Sequence, residues 1–383
     1  MSHREGLFQW TQQVSTHFPL LSKPEAVVLA LWSFGIALTR SSGVTTVAYF
    51  LGVVLMNQPG TVRQRLREWC YDAPDKRGAQ RQEVEVSQCF QPLLRWVLSW
   101  WTGDETRLAL AVDATTLGQR FTVLAVSVVY RGLAIPVAWA IVPATAAGSW
   151  QPHWEGLLRL LKPAIPPHWT VIVLADRGLY AKWLFAAIVG CGWHPCLRIN
   201  AQGQFRPITG HHFRPLKRAV RRGGLLRRWE VVCFKTKAAQ LRCTLLAQWS
   251  VEHADPWLIV TDLLPQQAEA AWYGLRSWIE PSFKYTKRGG WHWEQTKMTD
   301  PARAERLWLA MAVATLWVVS LGGEPLLADS PAGFRRLPAA PALSPFRRGW
   351  LTLVAALLLS HTFPCGAFQP LPWPKSLSFN PLC

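Results

Sequence analysis
The spacing of apolar residues changes once along the chain, near residue 107. Upstream, apolar residues come in blocks of helical length. Ala26–Thr39 is almost wholly apolar, and Pro24 stands where it can open a helix at its first turn. Thr45–Met56 is a second such block, followed by the turn signal Asn57–Gly60. Thr61 is placed to cap a third segment, "VRQRLREW", which carries Arg63, Arg65 and Arg67. Two helices across a short turn, the second rich in arginine, fit either a helix-turn-helix reader or a helical bundle with a solvated basic face.

From Arg107 the apolar runs shorten to strand length. "RLALAVDATT", "RFTVLAVSVVY" and "GLAIPVAWAIV" predict a three-stranded meander with tight connections at 118–120 and at Arg131–Gly132. A helix through Leu157–Leu161, a strand in "TVIVLADRGLY", an amphipathic helix in "AKWLFAAIVGCG" and a fifth strand at "HPCLRIN" follow. Three sequential strands, then helix, strand, helix, strand, is the order of a ribonuclease-H-like α/β domain. The strand-like segments "WEVVCFK", "LRCTLLAQW" and "WLIVTDL" suggest a β-rich insertion. The expected organisation is therefore a helical region over 1–100, a DNA-binding domain if the helix-turn-helix reading holds, and an α/β domain formed by 101–200 with 265–322 as the candidate for catalysis. A basic β-rich insertion would occupy 201–264, and 323–383 would be linker, a short helix at Trp350–Leu359 and a poorly ordered tail.

Charge narrows the function classes. The chain of 383 residues carries 41 Lys and Arg against 23 Asp and Glu, a formal net charge of +18. Folding does not need such an excess, and a polyanion is the natural partner. The densest stretch, "FRPLKRAVRRGGLLRRW", contributes Lys217, Arg218, Arg221 and Arg222 as candidate phosphate contacts. Met1–Gln13 has charges and no apolar core, unlike a secretory signal. The longest apolar runs, at 26–39, 307–321 and 350–360, fall short of a membrane span and read as buried helices, which predicts a cytoplasmic chain. The scattered cysteines fit a reducing compartment. Cys191, His194 and Cys196, with Cys233 and Cys243 further on, lack the usual zinc spacing. No phosphate-cradling G-x-x-x-x-G-K-[ST] and no G-x-S-x-G turn occurs, which disfavours ATP use and serine hydrolysis.

Two aspartates carry the candidate chemistry. Asp113 and Asp176 each end an apolar strand-like run. A carboxylate there costs several kcal/mol unless a charge or hydrogen bonds meet it. Two on neighbouring strands repel, and a divalent cation relieves both problems. A third acidic ligand would complete a two-magnesium site for phosphoryl transfer. The segment from Tyr273 to Trp291, "YGLRSWIEPSFKYTKRGGW", offers one. On a regular helix Tyr273, Arg276, Glu280 and Lys287 fall within roughly 60° of one another, while Trp272, Leu275, Ile279 and Phe283 form a second, apolar stripe. Pro281, directly after Glu280, predicts a kink there.

Tyr-x2-Arg-x3-Glu-x6-Lys resembles the signature of the DDE insertion-sequence transposases of the IS-four group. "ADRGLY", "IVTDL" and "IEPSFKYTKRGGW" resemble the same family, over about 107–321. The resemblance implies a ribonuclease-H-like catalytic domain with a β-rich insertion. It implies that Asp113, Asp176 and Glu280 bind two Mg2+ ions, with Mn2+ as a substitute, and that Tyr273, Arg276 and Lys287 hold phosphates. Relatives pass through a DNA hairpin and stack a flipped base on tryptophan, which makes Trp291 and Trp293 candidates, with Trp229 and Trp249 in or near the insertion as others. Arg63 and Arg67 would join the basic insertion in DNA contact. The implied partners are DNA with terminal inverted repeats, target DNA and a second copy of the chain. A same-fold nuclease without strand transfer and a non-catalytic repressor are the competing readings.

Overall fold
All ten residues of Phe121–Tyr130 are buried, because this strand (β2) has strands on both sides and helices over it. It lies between Arg107–Leu117 (β1) and Leu133–Pro143 (β3) in the computed structural model, which describes residues 3–77, 82–323, 343–361, 363–364 and 366–375. Arg131 and Gly132 link β2 to β3 with φ of 43° and 85°, the double positive φ that a two-residue hairpin turn requires. β3 is an edge strand, so it tolerates Pro136, and its register with β2 shifts at Val126/Ser127. The meander predicted from the alternating runs is present at those positions.

On the other side of β1 lies Thr170–Ala175 (β4), parallel to it, and then His194–Arg198 (β5), parallel to β4. Their crossovers are helical. Gln151–Leu161 (α6) precedes β4 and Lys182–Gly190 (α7) precedes β5.

The strands of the basic insertion do not form a sheet of their own. Gln204–Pro207 (β6), Arg214–Pro215 (β7), Arg227–Cys233 (β8), Leu241–Gln248 (β9) and Trp257–Thr261 (β10) continue the same sheet. Its order among the described residues is β3-β2-β1-β4-β5-β10-β9-β8-β6-β7. The join is β10 antiparallel to β5, through Ile259 opposite Arg198 and Val260 opposite Leu197.

Among the described residues, five α-helices precede the sheet. They are His3–His17 (α1), Lys23–Thr39 (α2), Val44–Leu55 (α3), Pro59–Trp69 (α4) and Ser87–Ser99 (α5). α4 starts earlier than the expected cap at Thr61. Pro59 sits in its first turn, where the missing N–H is not needed, and Gln58 precedes it. After the sheet come Ile279–Thr286 (α8), Pro301–Gly322 (α9) and Pro345–Leu358 (α10). The short helix expected at Trp350 therefore opens at Pro345, with Ser344 accepting from the Arg347 N–H.

α9 is the core helix. It is long and apolar enough to cross a membrane, more so than its sequence run suggested, yet 89% of its apolar window is buried against α2, α10 and β3. Two ionisable side chains on it, buried Arg306 and half-buried Glu305, tie it to its surroundings. Arg306 donates to the carbonyls of Val84 and Cys70 and to Asp72, which fastens α9 to the connection between α4 and α5. Glu305 accepts from the Ile141 N–H of β3 at 2.8 Å.

The tail is partly ordered against expectation. Phe368 is fully buried and bridges to Trp101, and Trp373 meets Trp272 edge-on at 5.2 Å beneath the Arg107 guanidinium. The rest of the expected linker and tail, 324–342 and 376–383, lies outside the described residues.

Burial pushes the Glu305 carboxyl up to about 7 from its ordinary 4.5, against the pull of the Ile141 amide. A raised carboxyl binds more protons folded than unfolded, so its ionisation weakens the fold progressively from about pH 4.5 to 7 and fully above. Glu305→Gln, which keeps the acceptor, should raise stability by about 1–3 kcal/mol at pH 8 and by nothing measurable at pH 4. Urea unfolding at the two pH values checks this, and an equal effect at both would refute it.

Candidate active site
The register of β1 and β4 makes the site. Val112 is paired with Ala175, so Asp113 and Asp176 stand one step beyond the last paired residues of two adjacent parallel strands. Each carboxylate takes the amide that follows it. The Ala114 N–H donates to Asp113 Oδ1 at 2.8 Å and the Arg177 N–H to Asp176 Oδ1 at 2.6 Å.

The third carboxylate comes from a helix that is not the regular one the spacing suggested. Ala270–Trp278 is a 3-10 helix and only Ile279–Thr286 is α-helical. The change of pitch suits the residues. In a 3-10 helix positions three apart eclipse, so Tyr273 and Arg276 share a face. Arg276 and Glu280 are then four apart across the junction. Pro281 falls in the first turn of α8 rather than in the middle of a helix. Glu269 caps the 3-10 segment at the Ala271 N–H and also accepts from Arg228 of β8. Ser282 fixes α8 to β3 by accepting from the Ala134 N–H at 2.6 Å.

These elements bring three carboxylates to one guanidinium. Arg276 Nη2 is 2.7 Å from Asp113 Oδ2 and 4.0 Å from Asp176 Oδ2, while Nη1 donates to Glu280 Oε1 at 2.9 Å. The Tyr273 hydroxyl donates to Asp176 Oδ1 at 3.3 Å. The side chains of Asp113 and Arg276 are 17% and 15% exposed, whereas that of Glu280 is 57% exposed. The site thus has a dry side at Asp113 and a wet one at Glu280.

Burial raises the Asp113 carboxyl above its ordinary value, partly offset by Arg276 and the Ala114 amide. Burial works against the charge on Arg276, but Asp113, Asp176, Tyr273 and Glu280 together outweigh it and hold the guanidinium more firmly protonated than usual. The Tyr273 phenol is pushed up by burial first and by Asp176 second.

Lys287 caps the end of α8 and is directed elsewhere. Its ammonium donates to Thr115 Oγ1 at 2.7 Å, and burial lowers its pKa. Thr115 was not singled out from the sequence. The signal was there, since a residue two positions after Asp113 on a strand shares its face.

The other candidates lie apart. Arg63 and Arg67 are exposed on α4, and Lys217, Arg218, Arg221 and Arg222 are exposed on the insertion, where Arg222 donates to the Val251 carbonyl. No hydrogen bond or ion pair joins them to the carboxylates among the described residues. Trp291 and Trp293 are corrected by their surroundings. Both are fully buried, Trp291 bonded to Thr315 and edge-on to Phe346, Trp293 stacked on Phe121. Neither has a free face for a base. Trp229 and Trp249 are half-buried.

The donor set, three carboxylates and no sulfur or imidazole, has the chemistry of a hard divalent cation site. In this arrangement the guanidinium holds them, and no group of three His, Cys, Asp or Glu among the described residues already converges as a metal cluster. That includes the cysteines near His194, whose Nδ1 faces Asp262.

A family model described as Transposase DDE domain matches residues 105–317, more than half of the chain. The match spans β1, β4, the 3-10 segment, α8 and most of α9. No curated protein matches the chain.

Thr115→Val removes the acceptor of a half-buried ammonium and should cost about 1–2 kcal/mol, while Thr115→Ser should stay near wild type. Denaturant midpoints of the two variants test whether the hydroxyl, rather than the shape of the side chain, holds Lys287.

Proposed function
The chain belongs to the DDE transposase family, and we propose that it is a cut-and-paste transposase of the IS-four group, acting at the inverted ends of an insertion sequence. The observation that carries this reading is the meeting of Asp113, Asp176 and Glu280, from β1, the end of β4 and α8, on the single guanidinium of Arg276. A structural ion pair needs one carboxylate. Three around one cation leave an excess of negative charge that a divalent ion satisfies. The order β3-β2-β1-β4-β5, antiparallel then parallel, supports a ribonuclease-H-like core.

In this reading Asp113, Asp176 and Glu280 hold two Mg2+ ions, for which Mn2+ can substitute. Bound there, the ions supply charge neutralisation at the reacting phosphate and a more acidic attacking hydroxyl. The protein's own groups do the rest. β1 and β4 fix two carboxylates through a sheet register and the amides of Ala114 and Arg177. Tyr273 orients Asp176, and Arg276 and Lys287 supply positive charge for phosphate oxygens on either side.

The exposed arginines of α4 and of the insertion would track the DNA backbone, with α3 and α4 as the end-reading helices of a helical N-terminal region. Because the insertion shares the sheet, its basic edge is positioned by the same register as the carboxylates. The hairpin route comes with the IS-four resemblance. A flipped base would then need an accessible ring, and half-buried Trp229, beside the Arg227 guanidinium, is better placed for it than Trp291 or Trp293. Paired inverted ends call for a dimer.

Asp113→Ala should leave binding of the inverted-repeat duplex within about threefold of wild type and reduce Mg2+-dependent nicking at the repeat boundary by at least roughly 1000-fold. A labelled duplex from the repeat beside the gene, run on native and denaturing gels, gives both readouts. Cutting that survives in this variant would remove Asp113 from the chemistry.

A further inference from the structure
Arg276 is placed oddly for a residue that only grips DNA. Both of its terminal nitrogens are committed inward, to Asp113 and Glu280, with Asp176 at 4.0 Å. Its side chain is only 15% exposed. In this position the guanidinium takes up the carboxylate oxygens that a metal ion would need. Yet the arrangement is not a finished structural salt bridge. One positive charge faces three carboxylates, and Arg276 Nε is buried with no hydrogen-bond partner. Arg306, which fastens α9, differs in kind, since it meets two carbonyls as well as Asp72 and, at 3.6 Å, Glu83.

We propose that Arg276 is an exchangeable counterion, held by Asp113, Asp176 and Glu280 until a DNA backbone phosphate draws it away and frees the three carboxylates for divalent cations. The exchange balances in charge. The carboxylates trade one positive charge for two or more, and the guanidinium trades carboxylate oxygens for phosphate oxygens of similar fork geometry. The short i, i+4 step from Arg276 to Glu280 lets the arginine turn away while Glu280, more than half exposed, stays on its helix. Tyr273 keeps hold of Asp176 throughout, so the site does not lose its shape when the guanidinium leaves.

Linkage then makes the two ligands cooperative, since whatever phosphate does for ion binding, ions must do for DNA binding. The protein alone would load ions poorly and stay idle as a nuclease until DNA arrives. This inference rests on the transposase reading of the site.

The test needs only Mn2+ and the purified full-length chain. Free Mn2+ is followed by its paramagnetic resonance signal with wild type, Arg276→Lys, Arg276→Gln and Arg276→Gln/Asp113→Asn. The series is repeated with a short mixed-sequence duplex, corrected for ions the duplex itself holds. Without DNA, Arg276→Gln should bind Mn2+ at least about tenfold tighter than wild type, because a competing charge beside the oxygens is gone. Arg276→Lys should lie between the two, and adding Asp113→Asn should erase the gain. The duplex should tighten wild-type Mn2+ binding by a similar factor and leave Arg276→Gln almost unchanged.

Equal or weaker binding by Arg276→Gln overturns the proposal, as does a duplex that tightens both proteins alike. If Arg276→Gln does not fold, the duplex dependence of wild type and Arg276→Lys decides alone. Failure of the exchange in a protein that binds Mn2+ through Asp113 and cuts its end sinks only this inference. Absence of any Asp113-dependent Mn2+ binding sinks the transposase assignment of the site with it.

Discussion
Everything near the centre of this protein answers to one electrostatic constraint. Two aspartates stand side by side at the ends of buried strands, with a glutamate beside them, and one guanidinium is what holds them together. Like charges at half-buried positions repel strongly, and a sheet cannot move its strands apart to relieve them. Neutralisation must therefore arrive from outside the strands. The 3-10 segment supplies it, and its unusual pitch is intelligible as the geometry that puts Tyr273 and Arg276 on one face, over the strand ends.

The rest of the fold keeps that segment where the charges need it. Glu269 caps its beginning and ties it to β8. Ser282 pins α8 to β3, and Lys287 closes back on β1 through Thr115. The helices of the first hundred residues reach the same region from the other direction. Arg40 donates to the Gly289 carbonyl, and the Ser42 N–H to the Trp291 carbonyl. The signature segment is thus held at both ends, by the sheet and by the helical layer, and α9 packs beneath with a buried arginine and a half-buried glutamate fixing its depth.

Much of this was legible in the sequence. The meander, both strand-end aspartates and the Tyr-Arg-Glu-Lys spacing are local patterns, and local patterns survive folding. What the sequence hid is tertiary. Alternation cannot say that β10 returns to pair with β5, so an insertion that reads as a separate unit is found extending one sheet. A helical wheel assumes one pitch, and the change from 3-10 to α at Trp278/Ile279 lies beyond it. Trp291 and Trp293 sit beside the signature in sequence, but proximity along the chain does not decide which rings face solvent. Their partners Thr315, Phe346, Phe121 and Trp308 are all remote in number. The arginine was legible as a signature residue, whereas its partners were not.

The separation of the site's parts along the chain also sets a clock. Asp113 and Arg276 are 163 residues apart. At about 5–20 residues per second, translation takes on the order of ten to thirty seconds to deliver the second after the first. For the later part of that interval, once Asp176 has also been made, the nascent chain carries two carboxylates that belong at adjacent strand ends and has no Arg276 to face them. The sheet must wait for its counter-charge, and a chain that stops early leaves the ribosome with the two aspartates of the site but neither its third carboxylate nor its counterion.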